Sequence, residues 1–364
     1  MVRMSNGRRH SSVILLLVVL ALAALAAMAL RTPGVSAQGT YVFGTQVQLV
    51  LYGVEQDDAR RATNAVFARL NQMHMQLHAW RPSELTRLNA ALAAGVPFQA
   101  SPRLADMLRE AQRLSRQSGG LFDPGIGRLI RLWGFQADQF AVAPPSAQAV
   151  NALESRHAGL NDLEISPSGR ITSRNPGVAL DLGGYAKGWS LDEAAVILKR
   201  LGVKNALIDV GGNLLALGSK GDEPWRVGVQ NPRHPGSLGT IALRDGEAIG
   251  TSGDYDRYFI AGGQRYCHIL DPRSGFPAQA SQSATVLIDP GAHAGALSDG
   301  ASKPPFIAGP GRALSLTQAL GVNKLILVDG KGTIWVSPAM AGRVTWTDPH
   351  IQAHLLSASP EPHV

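Results

Sequence analysis

The stretch Ala179-Leu180-Asp181-Leu182-Gly183-Gly184-Tyr185-Ala186-Lys187-Gly188-Trp189 constrains this chain more than any other. Its apolar run ends at Asp181 and predicts a strand. Gly183 and Gly184 let the backbone turn and approach a ligand closely. From Trp189 to Leu201, apolar residues recur at helical spacing. A glycine turn that feeds a helix start offers free backbone N–H groups, and Lys187 adds a full positive charge. That combination suits a phosphate. The same pattern also serves as a tight strand-to-helix turn that binds nothing.

The surrounding pattern sets the fold class. Residues 43–51 alternate and predict a strand, and residues 57–77 predict a helix. On that helix and just past it, Met73, His74, Met75 and His78 fit packing with a solvated edge better than a metal site. Ser101 before Pro102 starts a second helix, which Gly119 and Gly120 stop. Residues 138–146 form a polar connection, and 163–172 predict a hairpin. Beyond the helix at 189–201 the pattern is mostly strands and tight turns, with a hairpin over 256–270 turning at Gly262-Gly263. Strands joined by short turns, with a few long helices, predict an α+β fold with a mostly antiparallel sheet. The expected layout is one domain over 38–345 and a disordered tail over 346–364.

The N-terminus reads as an export signal. Residues 1–12 are polar and basic, residues 13–30 are an unbroken apolar run, and Val35-Ser36-Ala37 is a small-residue cleavage site. Residues 1–37 are therefore expected to be a signal peptide and the protein periplasmic. The alternative is an inner-membrane anchor formed by residues 13–30. The formal charge of +7 owes much to this segment, because Arg3, Arg8, Arg9 and Arg31 face no acid there. Without a dense basic run elsewhere, no nucleic-acid surface is expected. The one cysteine, Cys267, excludes an internal disulfide.

The 179–189 stretch resembles the D-L-G-x-x-A-K-G motif of the ApbE family, the FAD:protein FMN transferases. Further blocks of the chain resemble that family in order. They are Ser83-Glu84-Leu85-Thr86-Arg87-Leu88-Asn89, Gly120-Leu121-Phe122-Asp123-Pro124 and Leu132-Trp133-Gly134-Phe135. Then come Asp209-Val210-Gly211-Gly212-Asn213, Thr251-Ser252-Gly253-Asp254-Tyr255 and His268-Ile269-Leu270-Asp271-Pro272. The resemblance covers roughly residues 40 to 340 and implies the ApbE-like (T-fold-like) flavin transferase fold.

The resemblance also implies a site. Phe43, Trp80, Leu121, Phe122, Asp123, Asp181 and Lys187 are expected to contact FAD, and Thr251, Ser252 and His268 to converge on it from a single hairpin. His268 is the expected catalytic base, an imidazole suited to taking a hydroxyl proton near neutrality. The bland roles are core packing for the aromatics, turn capping for Asp181, a solvated charge for Lys187 and a hydrogen-bonded core histidine for His268. The family's magnesium implies ligands at the Gly184 carbonyl and Asp299. The family threonine four residues beyond that Asp is Lys303 here, and an ammonium does not ligate a metal. Ser302 beside it is the remaining candidate hydroxyl.

The expected activity is transfer of FMN from FAD to a Thr or Ser of an acceptor protein in a membrane redox complex, with AMP released. The alternatives are an FAD carrier, an FAD pyrophosphatase and an assembly factor for such a complex.

Overall fold

A computed structural model describes residues 34–137 and 143–357. The expected signal up to residue 33, the connection over 138–142 and the tail from 358 lie outside the described residues.

The described chain opens with a hairpin of β1 (Val35–Val42) and β2 (Thr45–Tyr52), in which Val42 faces Thr45. The two-residue turn Phe43-Gly44 has φ of 56° and 72°, the left-handed pair that suits the twist of a hairpin. Phe43, expected within a strand, therefore sits at a hairpin tip in a conformation costly for a residue with a Cβ. Val35, Ser36 and Ala37, the expected cleavage site, already belong to β1 and face Tyr52, Leu51 and Val50.

Next come α1 (Gln56–Leu77), α2 (Glu84–Ala93), β3 (Phe98–Gln99) and α3 (Pro102–Gln117). A capping box starts α2: the Ser83 hydroxyl accepts from Thr86 N, and the Thr86 hydroxyl accepts from Ser83 N. Ser101 and Pro102 start α3, which buries Leu104, Met107, Leu108, Ala111 and Leu114. The chain continues through α4 (Gly127–Leu132), α5 (Ala147–Glu154), β4 (Leu163–Ile165), β5 (Arg170–Ser173) and α6 (Ala186–Arg200).

A run of strands follows: β6 (Ala206–Val210), β7 (Asn213–Leu217), β8 (Trp225–Gln230), β9 (Ser237–Leu243), β10 (Ala248–Gly253), β11 (Tyr258–Ala261), β12 (Gln264–Cys267) and β13 (Ser281–Ile288). Then come α7 (Ala294–Ala301), α8 (Lys303–Ala308), α9 (Pro310–Ala319), β14 (Lys324–Asp329), β15 (Ile334–Val336), α10 (Pro338–Ala341), β16 (Val344–Trp346) and β17 (Ala353–Leu355).

Nine strands form one sheet in the order β1-β2-β6-β7-β10-β13-β14-β15-β17. Every pairing in it is antiparallel except β15 with β17. Helices cover one face, where Val66, Leu70, Leu108 and Leu191 meet Leu49, Ile208, Val286 and Leu327. The small sheet β16-β9-β8 covers the other, where Trp225, Val227 and Ile241 meet Ala216, Leu287 and Ile326. The neighbours Ile326 and Leu327 thus serve opposite faces, as strand geometry requires. Every residue of β13 is buried, as expected of a strand covered on both sides. Residues 353–355, expected in the tail, instead add the edge strand β17. The α+β class and the mostly antiparallel sheet agree with the sequence pattern.

Candidate active site

The apolar run before the glycine turn is not a ladder strand. Its one bridge joins Ala179 to Ile126. The backbone polar groups are claimed locally: the Asn89 side chain donates to Leu180 O (2.9 Å) and accepts from Leu180 N (2.7 Å). Asp181 N donates to Pro124 O. Asn89 thus clamps the segment that delivers the turn. The Asp181 carboxylate accepts from Gly183 N and from Gln136 Nε2, both at 2.8 Å. It caps the turn, the role any Asx turn gives such a residue.

Helix α6 begins at Ala186, earlier than the spacing predicted, so Lys187 and Gly188 fall in its first turn. Gly188 N donates to Asp299 Oδ2 of α7 (3.0 Å). Close packing makes this reach possible: a Cβ on Gly188 would lie 2.2 Å from Gly295 O and 2.6 Å from Asp299 Cβ. Lys303 Nζ bonds Asp299 Oδ1 (2.7 Å) and Asp299 O (2.8 Å). Its side chain lies against Gly184, where an added Cβ would meet Lys303 Cε at 2.7 Å. Burial opposes ionisation of Asp299. The Lys303 and Lys187 charges, the Lys303 hydrogen bond and the Gly188 N–H outweigh it and hold the carboxyl below its usual range.

Lys187 is different. Its ammonium has no hydrogen bond or ion pair among the described residues. Its charge nevertheless reaches Asp209, Asp256, His268, Asp299 and Lys303. It stands in the first turn of a helix, where an anion is also favoured by the N-terminal partial charge.

His268 follows β12, whereas Thr251 and Ser252 lie on β10 of the main sheet, so they are not segments of one hairpin as expected. His268 sits in a bend outside the main sheet. The His268 ring Nδ1 lies 3.2 Å from Arg257 O. A carbonyl only accepts, so Nδ1 carries the proton and Nε2 keeps its lone pair. Burial, then the charges of Arg257, Lys187 and Lys303, push the imidazole down to about 3. It is a neutral acceptor across the physiological range. Thr251 Oγ1 pairs with Thr285 Oγ1 (2.9 Å), and Ser252 Oγ with Ser302 Oγ (2.8 Å). Both hydroxyls are committed within the protein: Thr251 bonds its cross-strand partner on β13, and Ser252 ties β10 to the α7–α8 junction.

The remaining expected contacts divide. Phe43 meets His74 edge-on at 5.6 Å, His74 is 5.2 Å from His78, and His78 is 4.5 Å from Trp80. Trp80 is 39% exposed and borders a groove of ≈ 480 Å³ with Arg81, Pro82, Thr86 and Arg87. That is a surface for a flat ring. Leu121 and Phe122 are instead buried in the main core, Phe122 against Tyr185. The Asp123 Oδ1 accepts from Gly125 N (2.7 Å) and Leu160 N (2.9 Å), and burial raises its carboxyl to about 6. These three side chains shape the loop from within. A smaller cavity of ≈ 120 Å³ lies beyond Gly253, but its Arg233 is already paired bidentately with Asp254.

The donors expected for magnesium do not fit an ion. Asp299 gives one oxygen to Gly188 and the other to Lys303. Ser302 is fully buried, with its hydroxyl bonded to Ser252 Oγ and Asp299 O. Among the described residues, no group of three His, Cys, Asp or Glu side chains is placed to hold a metal.

Asn89, Asp209 and Gly188 lie within sequence motifs that do not mark their roles, and Gln136, Asp192 and Asp256 carry no motif signal. The spacing from Gly188 to Gly295 carries no local signal, since it is a contact between helices far apart in sequence.

The site sets at a helix start an ammonium without a partner among the described residues, within electrostatic reach of a lysine–aspartate pair and of an imidazole with an open lone pair. It can seat an anion of more than one charge and accept a proton beside it. Comparison with known proteins agrees in kind. The ApbE family profile matches residues 43–326. The FAD:protein FMN transferase of Rhodobacter capsulatus is 40% identical over 304 residues, 84% of this chain and 57% of that protein. The chain thus spans little more than half the length of that relative. The FAD:protein FMN transferase of Klebsiella pneumoniae is 31% identical, covering 81% of this chain and 85% of its own. The crystal structure of the ApbE protein from Thermotoga maritima superposes with a TM-score of 0.78 at 27% identity, covering 86% of this chain and all of that one. The chain belongs to the ApbE family.

Proposed function

We propose that this protein is an FAD:protein FMN transferase. The observation that carries the reading is Lys187, a cation at the start of α6 with no hydrogen bond or ion pair among the described residues, whose charge reaches His268 with its open Nε2. The family membership and the names of the two relatives support it. In this reading Lys187 and the α6 N-terminus seat the diphosphate of FAD, and a ring lies along Trp80.

The acceptor Thr or Ser oxygen attacks the FMN-side phosphorus, and its proton passes to His268 Nε2. The anhydride P–O bond breaks, and AMP leaves with the electron pair. FMN remains joined through a phosphoester. The protein supplies placement and charge neutralisation. By the same resemblance we place the acceptor in a membrane redox complex; the basic start, the apolar run over 13–30 and the Val35-Ser36-Ala37 site support a periplasmic location with residues 1–37 as the signal. N-terminal sequencing starting at Gln38 would support that location; an intact N-terminus in the membrane fraction would point to an anchor.

Incubating the protein with FAD and a Thr-containing acceptor separates the possible activities. Covalent FMN on the acceptor supports transfer, free FMN with AMP shows a pyrophosphatase, and unchanged FAD shows a carrier or assembly factor. Because His268 is neutral far below pH 6, transfer should show no acidic limb near 6.5 from this residue, and His268→Gln should lower the rate at every pH. A limb near 6.5 that disappears in His268→Gln would contradict the depressed imidazole.

A further inference from the structure

We propose that the Lys303 ammonium takes the place a divalent cation would hold, so that this chain binds its phosphorylated ligand between two lysines without a metal. The inference rests on the functional reading above for the ligand's class. It rests on geometry for the cation.

Lys303 is not a surface charge. Its side chain is 16% exposed and that of its partner Asp299 is 3% exposed. The ammonium is fixed from one side by two contacts on a single residue, Asp299 Oδ1 at 2.7 Å and Asp299 O at 2.8 Å. The stem crosses Gly184 so closely that a methyl there would meet Cε at 2.7 Å. An ammonium has three N–H donors. Two are used on Asp299, and the third is left for a ligand oxygen on the exposed side. Lys187, whose charge reaches Asp299 and Lys303, has no partner among the described residues. The Lys303–Asp299 pair is balanced, so the positive charge offered to a ligand is that of Lys187, which Asp209 and Asp256 also feel, and a diphosphate is complementary to that ammonium and the third Lys303 donor.

A metal in the same place meets three obstacles. Magnesium sits about 2.1 Å from its oxygen ligands, so at Asp299 Oδ1 it would lie within about 5 Å of the ammonium and repel it. The other Asp299 oxygen is held by Gly188 N–H at the start of α6. The neighbouring hydroxyl, Ser302 Oγ, is buried and bonded to Ser252 and Asp299 O. Lysine acts here as a point charge with directed donors, and its position is set by the fold rather than by the ion content of the medium.

The test has a metal arm and a nucleotide arm, both on the intact chain. In the first, protein is titrated into Mn2+ and the free-ion paramagnetic resonance signal is followed. The parent should leave the signal unchanged, and Lys303→Thr should deplete it by one ion per chain. In the second, FAD affinity is measured by flavin fluorescence with and without EDTA. Parent affinity should not change. Lys303→Thr should lose roughly tenfold or more in EDTA, the scale of one charge-assisted contact, and regain it with added magnesium. Lys303→Met, which can neither donate nor ligate, should lose the same amount with no rescue. One Mn2+ bound per parent chain, or parent affinity lost in EDTA and restored by magnesium, would overturn the proposal. A parent silent towards Mn2+ that also fails to bind FAD would overturn the nucleotide reading and leave the lysine assignment standing on the metal arm.

Discussion

Helices α6 and α7 each take a carboxylate from the other. Asp192 of α6 accepts from Gly295 N and Ala296 N at the start of α7, both at 2.8 Å. Asp299 of α7 accepts from Gly188 N at the start of α6. Asp299 is buried and Asp192 partly so, and both complement a helix N-terminus. Their surroundings differ. The charges that reach Asp192 are those of Glu193 and Glu110, and burial pushes its carboxyl up to about 7 in spite of its two N–H bonds. Asp299 has Lys303 in contact and Lys187 in range, and is held ionised. The two caps look alike in backbone geometry, yet Asp192 only closes a helix, while Asp299 also gathers the positive charge of the site. The difference comes from one residue beyond the helix end, Lys303.

The largest expected effect separates the two carboxylates directly. Asp299→Asn leaves the Lys303 ammonium buried without a counter-charge, which should cost about 3–5 kcal/mol. Asp192→Asn keeps one acceptor and strands no cation, so its cost should be about 1–2 kcal/mol. Urea denaturation at pH 7 checks both, and equal costs would break the distinction.

A smaller effect tests what the caps share. A Cβ on Gly188 would sit 2.2 Å from Gly295 O, and one on Gly295 would sit 2.5 Å from Gly188 O. Either glycine changed to alanine should push the helices apart, weaken both caps and cost about 1–3 kcal/mol. A neutral result in the same denaturation assay would show that the crossing has slack.

A third test is the pH dependence, whose sign differs between the two residues. The folded-state value for Asp192 lies above the unfolded one. Its contribution is therefore complete below about 4 and is lost as pH rises towards 7. The folded-state value for Asp299 is depressed, so its contribution is present at neutral pH and is lost only as pH falls below the usual carboxylate range. Subtracting Asp192→Asn from the parent across pH 4–7 should recover the first slope. A flat difference would place an unseen cation beside Asp192.

Much of this was legible in the sequence, and the misses have physical causes. The glycine turn, the helix behind it and Lys187 at its start were visible because they are local. The run up to Asp181 was misread as a strand because an extended apolar segment has the same pattern whether a neighbouring strand or the Asn89 side chain claims its backbone. Helices α7 and α8 were missed because Gly295, Gly300, Pro304 and Pro305 break helical propensity. They form because the glycines allow close approach to α6 and to the Leu114–Phe122 core. Thr251 and Ser252 look polar and available in sequence, but partners on other elements, Thr285 and Ser302, claim them. The Lys303–Asp299 pair was legible as a spacing of four; its contact with Gly184 was not.

The most direct measurement is the FAD affinity of Lys187→Met against the parent, with a melting curve for each. Lys187 holds no described residue by a hydrogen bond or ion pair, so stability should stay within about 1 kcal/mol. If its ammonium seats the diphosphate, affinity should fall roughly tenfold or more. Undiminished FAD binding in a stable Lys187→Met protein would contradict a diphosphate seat at the start of α6.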